Sequence, residues 1–131
     1  MERVSFVTHR ETRVLVVDYS GLHDVPELLR VADRACRVME KEEHNSVVVL
    51  VDLSQTRYSL RLVRSLGELA VTNAPFVRAR AVVGLPGFVA PVVREVARFS
   101  GRPIEMFEEC EPAMDWLVER AARAGPSEGE R

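Results

Sequence analysis

Apolar and polar positions divide the chain into short strands and amphipathic helices. Val4 to Thr8 alternates apolar and polar with the two-residue period of an edge strand. His9-Arg10-Glu11-Thr12 is a polar turn, and Arg13 to Asp18 reads as a second, more fully apolar strand. A connection this short permits an antiparallel hairpin, because a parallel return needs about a dozen residues or more. After the loop Tyr19-Ser20-Gly21-Leu22-His23-Asp24, the pattern turns helical. Asp24 is the expected N-cap and Pro26 suits the first turn of a helix from about Val25 to Glu43. Leu28, Leu29, Ala32, Ala35, Cys36 and Met39 form its apolar stripe, while Arg30, Asp33, Arg34 and Arg37 fall on a solvated face.

Val47-Val48-Val49-Leu50-Val51 has no polar alternation at all. Such a run, from about Val47 to Leu53, reads as a strand buried on both faces, as in a parallel sheet covered by helices. Ser59 is the expected N-cap of a helix over Leu60 to Thr72, with Leu62, Val63, Leu66, Leu69 and Ala70 inward. Asn73-Ala74-Pro75 stops it, and a fourth strand spans about Arg78 to Val83. Gly84-Leu85-Pro86-Gly87 turns the chain into a third helix, which starts near residue 88 or later because Pro91 must fall in the first turn. This helix carries Val89, Val92, Val93, Val96 and Ala97 inward and ends at Ser100-Gly101. Ile104 to Phe107 is a fifth strand. Pro112 to Ala122 is a last helix with Ala113, Trp116 and Leu117 facing in.

The order β-β-α-β-α-β-α-β-α predicts an α/β fold with a mostly parallel five-stranded sheet, an antiparallel N-terminal edge strand and four helices. One domain over residues 1–122 is expected, followed by a disordered tail over 123–131. Composition narrows the function classes. A net charge of −2 in 131 residues argues against a general nucleic-acid binder. Of the 18 basic residues only Lys41 is lysine, a bias best assigned to genome composition. No apolar run approaches a membrane span, and the opening Met-Glu-Arg-Val-Ser has no signal core. A cytoplasmic setting is therefore expected. Cys36 and Cys110 show no metal-site spacing. Cys36 falls on an apolar helix face, and Cys110 lies among Glu108, Glu109 and Glu111, which should raise its thiol pKa.

Several segments in this order resemble the STAS domain, the sulfate transporter and anti-sigma-factor antagonist superfamily. They are Val17-Asp18-Tyr19-Ser20-Gly21-Leu22, the run from Leu50 to Tyr58, the run from Asn73 to Gly84, Arg98-Phe99-Ser100-Gly101-Arg102, and Glu111 to Leu117. Together they span about residues 4 to 120, and the chain looks like a small stand-alone bacterial member. The resemblance implies a STAS-like fold without enzyme activity, docking a protein partner. It also implies a shape similar to CRAL-TRIO lipid-binding domains, hence an alternative as a carrier of a small apolar or anionic ligand. Antagonists of this kind are switched by phosphorylation of a serine in an Asp-Ser motif. Here the equivalent stretch reads Tyr58-Ser59-Leu60-Arg61, without the acidic partner. Ser59 remains the candidate phosphorylation site.

Partner or ligand contacts are expected where the parallel strands end. The candidates are Asp18, Tyr19, Ser20, Asp52, Ser54, Thr56, Arg57, Tyr58, Ser59, Gly84 and Leu85. Asp18 and Asp52 end strands that would be neighbours about 4.8 Å apart. A metal site or an acid/base dyad is the sharp reading, and capping of the adjacent loops is favoured. A phosphoacceptor receiver domain is excluded in practice, since it needs a lysine at its last strand end and Lys41 lies on the first helix. Gly84-Leu85-Pro86-Gly87 is read as a tight turn ahead of an anion cradle. Arg61 and Arg64 are read as solvated, and His9, His23 and His44 as surface residues in polar turns. Neither a catalytic residue nor a cofactor or metal ligand set is readable. A homodimer through a helix face or the first strand is left open.

Overall fold

The structure, a computed structural model, describes residues 2–56 and 59–123. Five strands form one sheet: β1 Val4–His9, β2 Thr12–Asp18, β3 Val47–Asp52, β4 Val77–Val83 and β5 Ile104–Phe107. Four helices accompany them: α1 Val25–Met39, α2 Leu60–Thr72, α3 Ala90–Ser100 and α4 Cys110–Ala122. The spatial strand order is β1-β2-β3-β4-β5, with β1 antiparallel to β2 and every other pair parallel.

Sequential order has a geometric consequence. Each crossover from β2 to β5 steps the same way, so right-handedness places α1, α2 and α3 on one face. The core on that face holds Leu15, Val17, Leu28, Val49 and Leu62. The other face is closed by α4 alone, where Ala113 and Leu117 pack on Val14, Val48, Leu50, Ala79, Ala81 and Val83. Trp116 lies at its margin, tilted against Phe107 with ring centroids 5.8 Å apart. It is half-buried and serves as a packing residue, as its position predicts.

The element order agrees with the sequence pattern, and several ends move. α1 stops at Met39 rather than Glu43, and the chain tightens through Lys41 N–H to Val38 O and Glu42 N–H to Met39 O. Lys41 to Asn45 offers nothing apolar to bury, so no packing holds a further turn. Asp24 occupies the N-cap without a side-chain hydrogen bond, because Pro26 removes one of the two amides that such a cap would reach. Leu29 is exposed, one helical step from the fully buried Leu28. β3 ends at Asp52, one residue short of the expected Leu53. α4 begins at Cys110, two residues early, leaving Pro112 inside the first turn where its missing N–H is harmless. In α3 only Val93 is fully buried, and Val92, Val96 and Ala97 are half-buried beside the edge strand β5. Gly101 ends α3 at φ 72° with its N–H on Ala97 O.

His9 is not a free surface residue. Its Nε2 lies 2.9 Å from Asp115 Oδ1, which ties the β1–β2 turn to α4. Among the described residues, no helix is long and apolar enough to cross a membrane.

Arg10 and Glu11 form the hairpin turn between the paired His9 and Thr12, at φ 51° and 67°. Both lie in the left-handed region that suits hairpin twist and penalises a Cβ. Glu11→Gly should stabilise the protein by about 0.5–1 kcal/mol after the unfolded-state entropy of glycine is counted. Urea unfolding of the two chains, compared at constant m, measures this directly.

Candidate functional site

Parallel register brings the strand ends level. Asp18 pairs with Asp52, and Asp52 with Val83. The loops that follow are tied to one another. Tyr19 N–H donates to Asp52 O at 2.9 Å, Gly21 N–H to Ser54 O at 3.1 Å and Leu53 N–H to Val83 O at 2.8 Å. The Thr56 hydroxyl donates to Tyr19 O at 2.7 Å. Arg3 Nη1 donates to Ser20 O at 2.9 Å and Asp18 O at 3.1 Å. The result is a cross-bonded platform built from the loops after β2 and β3.

The two aspartates are consumed by their own loops. Asp18 Oδ1 accepts from Ser20 N–H at 2.8 Å and from its hydroxyl at 2.6 Å. Asp52 Oδ1 accepts from Ser54 N–H at 2.9 Å. These are turn-forming contacts, and they favour capping over a dyad. No group of three or more His, Cys, Asp or Glu suited to a metal occurs among the described residues. Ser59 caps α2, its Oγ accepting from Leu62 N–H at 3.1 Å. Arg61 and Arg64 are exposed on α2. Arg57 and Tyr58, two of the predicted contacts, lie outside the described residues.

Gly84 has a specific reason to be glycine. Its φ is 99°, and a Cβ there would stand 2.5 Å from Ser54 N and 2.7 Å from Ser54 Cα. The loop after β4 thus lies directly on the loop after β3, and Leu85 turns inward. Cys110, at the start of α4, joins this end of the sheet. Burial chiefly raises its thiol pKa, with the Asp52, Glu109 and Asp18 carboxylates adding to the shift. The acidic neighbours predicted from sequence contribute, but Asp52 and Asp18 reach it only through the fold.

An apolar concavity lies elsewhere. Strand order among β2 to β5 never reverses, so no switch-point crevice opens at the strand ends. Instead a cavity of about 100 Å³ sits between the sheet and α1, α2 and α3. Its walls are mainly aliphatic, with Val49, Val51, Val63 and Val93 among them, and its polar members are Tyr19, Cys36, Asn73 and Arg80. Arg80 is only 7% exposed. Its Nη2 donates to Ala70 O at 3.3 Å and to Asn73 Oδ1, at the C-terminal end of α2. That end carries partial negative charge, which steadies a buried guanidinium. Burial pulls the Arg80 pKa down to about 10, so it remains a cation at neutral pH. Tyr19, 5% exposed, is pushed above the usual phenol range, first by burial and then by Cys36.

β4 delivers Arg80 to this face through an irregularity. Val47 pairs with Val77, but Val48 pairs with Ala79, leaving Arg78 as an extra residue. The shift puts Val77 and Arg80 on the same face, while Ala79 and Ala81 turn toward α4. Arg78 instead reaches Asn45 O at 3.2 Å and Arg123 O at 2.6 Å. Sequence reasoning missed Arg80. The available signal was an arginine between two alanines inside an otherwise apolar strand.

Comparison with solved structures identifies the architecture. An uncharacterised protein of the DUF3478 family with a SpoIIAA-like fold, from Shewanella loihica PV-4, superposes with a TM-score of 0.65 at 17% identity, covering 87% of this chain and 91% of its own. An anti-sigma-factor antagonist (STAS) domain protein from Planctomyces limnophilus gives a TM-score of 0.49 at 12% identity, over 91% of this chain and 98% of its own. No family model and no curated protein matches the sequence. The chain has a SpoIIAA-like α/β fold, with the mixed five-stranded sheet and four helices that its element order predicts.

Two substitutions test this geometry. Gly84→Ala should cost about 2–4 kcal/mol in equilibrium unfolding, since it combines a left-handed φ with a backbone clash. Asp52→Asn should lower the Cys110 thiol pKa and speed its alkylation by iodoacetamide near neutral pH, read by peptide mass mapping with Cys36 as the internal reference.

Proposed function

We propose that the chain is a non-enzymatic interaction module of STAS type. It docks a protein partner through the loops at the C-terminal ends of β2, β3 and β4. The observation that carries this reading is a cross-bonded platform with apolar side chains left outside the core at its rim. Phe88, in the turn after β4, is 72% exposed, and Leu60, at the start of α2 after β3, is 49% exposed. An exposed aromatic and an exposed aliphatic side chain beside hydrogen-bonded polar groups suit an interface anchor. The STAS-type fold supports the reading, because domains of that kind act by docking. Ser59 stands at the same rim as the cap of α2, and a phosphate there would meet the helix N-terminus favourably.

A second reading, a small-ligand carrier, has its own support in the cavity beneath the helices. At about 100 Å³ it suits a small molecule and not a lipid chain.

The docking reading is tested with Phe88→Asp and Leu60→Asp. Both variants should keep the native melting behaviour, because neither side chain is in the core. Each should weaken partner binding by roughly 30-fold or more. Quantitative affinity purification from the source cells, native chain against variants, reads the effect. Identical retained proteins for all three chains would overturn the proposal.

A further inference from the structure

The cavity holds a charge that the fold offsets only in part. Arg80 Nη2 serves the end of α2, but no hydrogen bond to its Nη1 or Nε occurs among the described residues. Arg80 forms no ion pair with a described residue, and no described Asp or Glu lines the cavity. The Tyr19 hydroxyl likewise has no hydrogen-bond partner among the described residues, although the side chain is almost wholly buried. Its phenol lies within electrostatic range of both Arg80 and Cys36. A buried guanidinium and a buried phenol, both donors, therefore face one aliphatic cavity from adjoining walls. Neither donor is sealed off, since among the described residues Arg120 Nε is the fully buried side-chain polar atom without a partner, so the Tyr19 hydroxyl and the free Arg80 nitrogens keep accessible surface and can reach a ligand.

We propose that this cavity binds a short aliphatic monocarboxylate of roughly four carbons, its carboxylate held by Arg80 and the Tyr19 hydroxyl and its chain among Val49, Val63 and Val93. The chemistry selects this class. One negative charge balances one buried positive charge. A neutral ligand leaves the guanidinium uncompensated, and a doubly charged, strongly hydrated anion such as phosphate brings excess charge into aliphatic walls. Arg80 supplies a planar fork suited to two carboxylate oxygens. Tyr19 stays protonated, since burial raises its pKa, and so remains a donor. The volume sets the size, because an engineered cavity of roughly 150 Å³ accommodates benzene. The proposal rests on the small-ligand reading alone and is independent of docking at the strand ends.

Sodium butyrate is the probe, with butan-1-ol as its uncharged isostere and sodium chloride as the ionic control. Amide chemical shifts of the full chain are followed in a titration. Butyrate should give saturable shifts confined to β4, the end of α2 and the start of the loop after β2, and should raise the melting temperature where sodium chloride does not. Tyr19→Phe, which removes one hydroxyl and keeps the packing, should weaken binding roughly two- to tenfold. Arg80→Met should weaken it roughly ten- to hundredfold. Arg80 also caps α2, so circular dichroism checks that variant, and Tyr19→Phe carries the test if Arg80→Met does not fold. Equal binding of butan-1-ol and butyrate would overturn the carboxylate assignment while sparing a neutral-ligand cavity. No saturable shift with either probe would overturn the small-ligand reading as well. Butyrate shifts that persist unchanged in Tyr19→Phe would place the anion elsewhere and overturn the proposal.

Discussion

Burial of β3 on both faces is the constraint on which the rest of the structure depends. Val47, Val48, Val49 and Leu50 are each almost wholly buried, alternately toward α1–α3 and toward α4. A strand of this kind needs neighbours on both edges and cover on both faces. The sequential strand order then fixes how the cover is shared. Three crossover helices go to one face, and the final helix must close the other without help. Ala79 and Ala81 let α4 approach β4 closely there, while Trp116 and Phe107 fill the margin.

The same division of labour creates the cavity. Three helices lying over one face of a twisted sheet do not fill it evenly, and small residues at Ala32, Ala35, Gly67 and Ala70 leave room beneath them. A Cβ at Gly67 would meet Val96 Cγ2 at 2.6 Å, so α2 and α3 are already in contact at that position. The space therefore lies deeper, against the sheet, where Arg80 enters it. The guanidinium is tolerable because α2 ends beside it, offering Ala70 O, with Asn73 as a further acceptor. An isolated buried cation costs several kcal/mol, and a helix C-terminus offsets part of that.

The platform at the strand ends has a different character. Its polar groups are spent on one another: Asp18 on Ser20, Asp52 on Ser54, Thr56 on Tyr19. Such a surface satisfies its polar groups within the fold. Its reactive member, Cys110, is held in the thiol form by burial and by the nearby carboxylates. The likeness to a SpoIIAA-like structure at 17% identity concerns this architecture and not the identity of the side chains that decorate it.

Much of this is legible in the sequence. The unbroken apolar run at Val47–Val51 implies a doubly covered strand, the stripes of α1 and α2 imply helices, and Ser59 and Gly101 mark helix ends, because each signal is local and set by backbone or burial chemistry. That Asp18 and Asp52 end strands and serve their own loops was also legible there, while their pairing came from the sheet register. What the chain order does not carry is register. One extra residue at Arg78 decides that Arg80 faces the helices, and a one-residue slip exchanges the faces of everything beyond it. Likewise Asp52 and Cys110 meet only because α4 begins at that end of the sheet. The sequence by itself determined which segments are strands and helices and which faces are apolar, through periodicity and capping. The tertiary structure alone decided that an arginine and a tyrosine far apart in the chain share one cavity, because that depends on the summed offsets of three paired strands, β2 to β4.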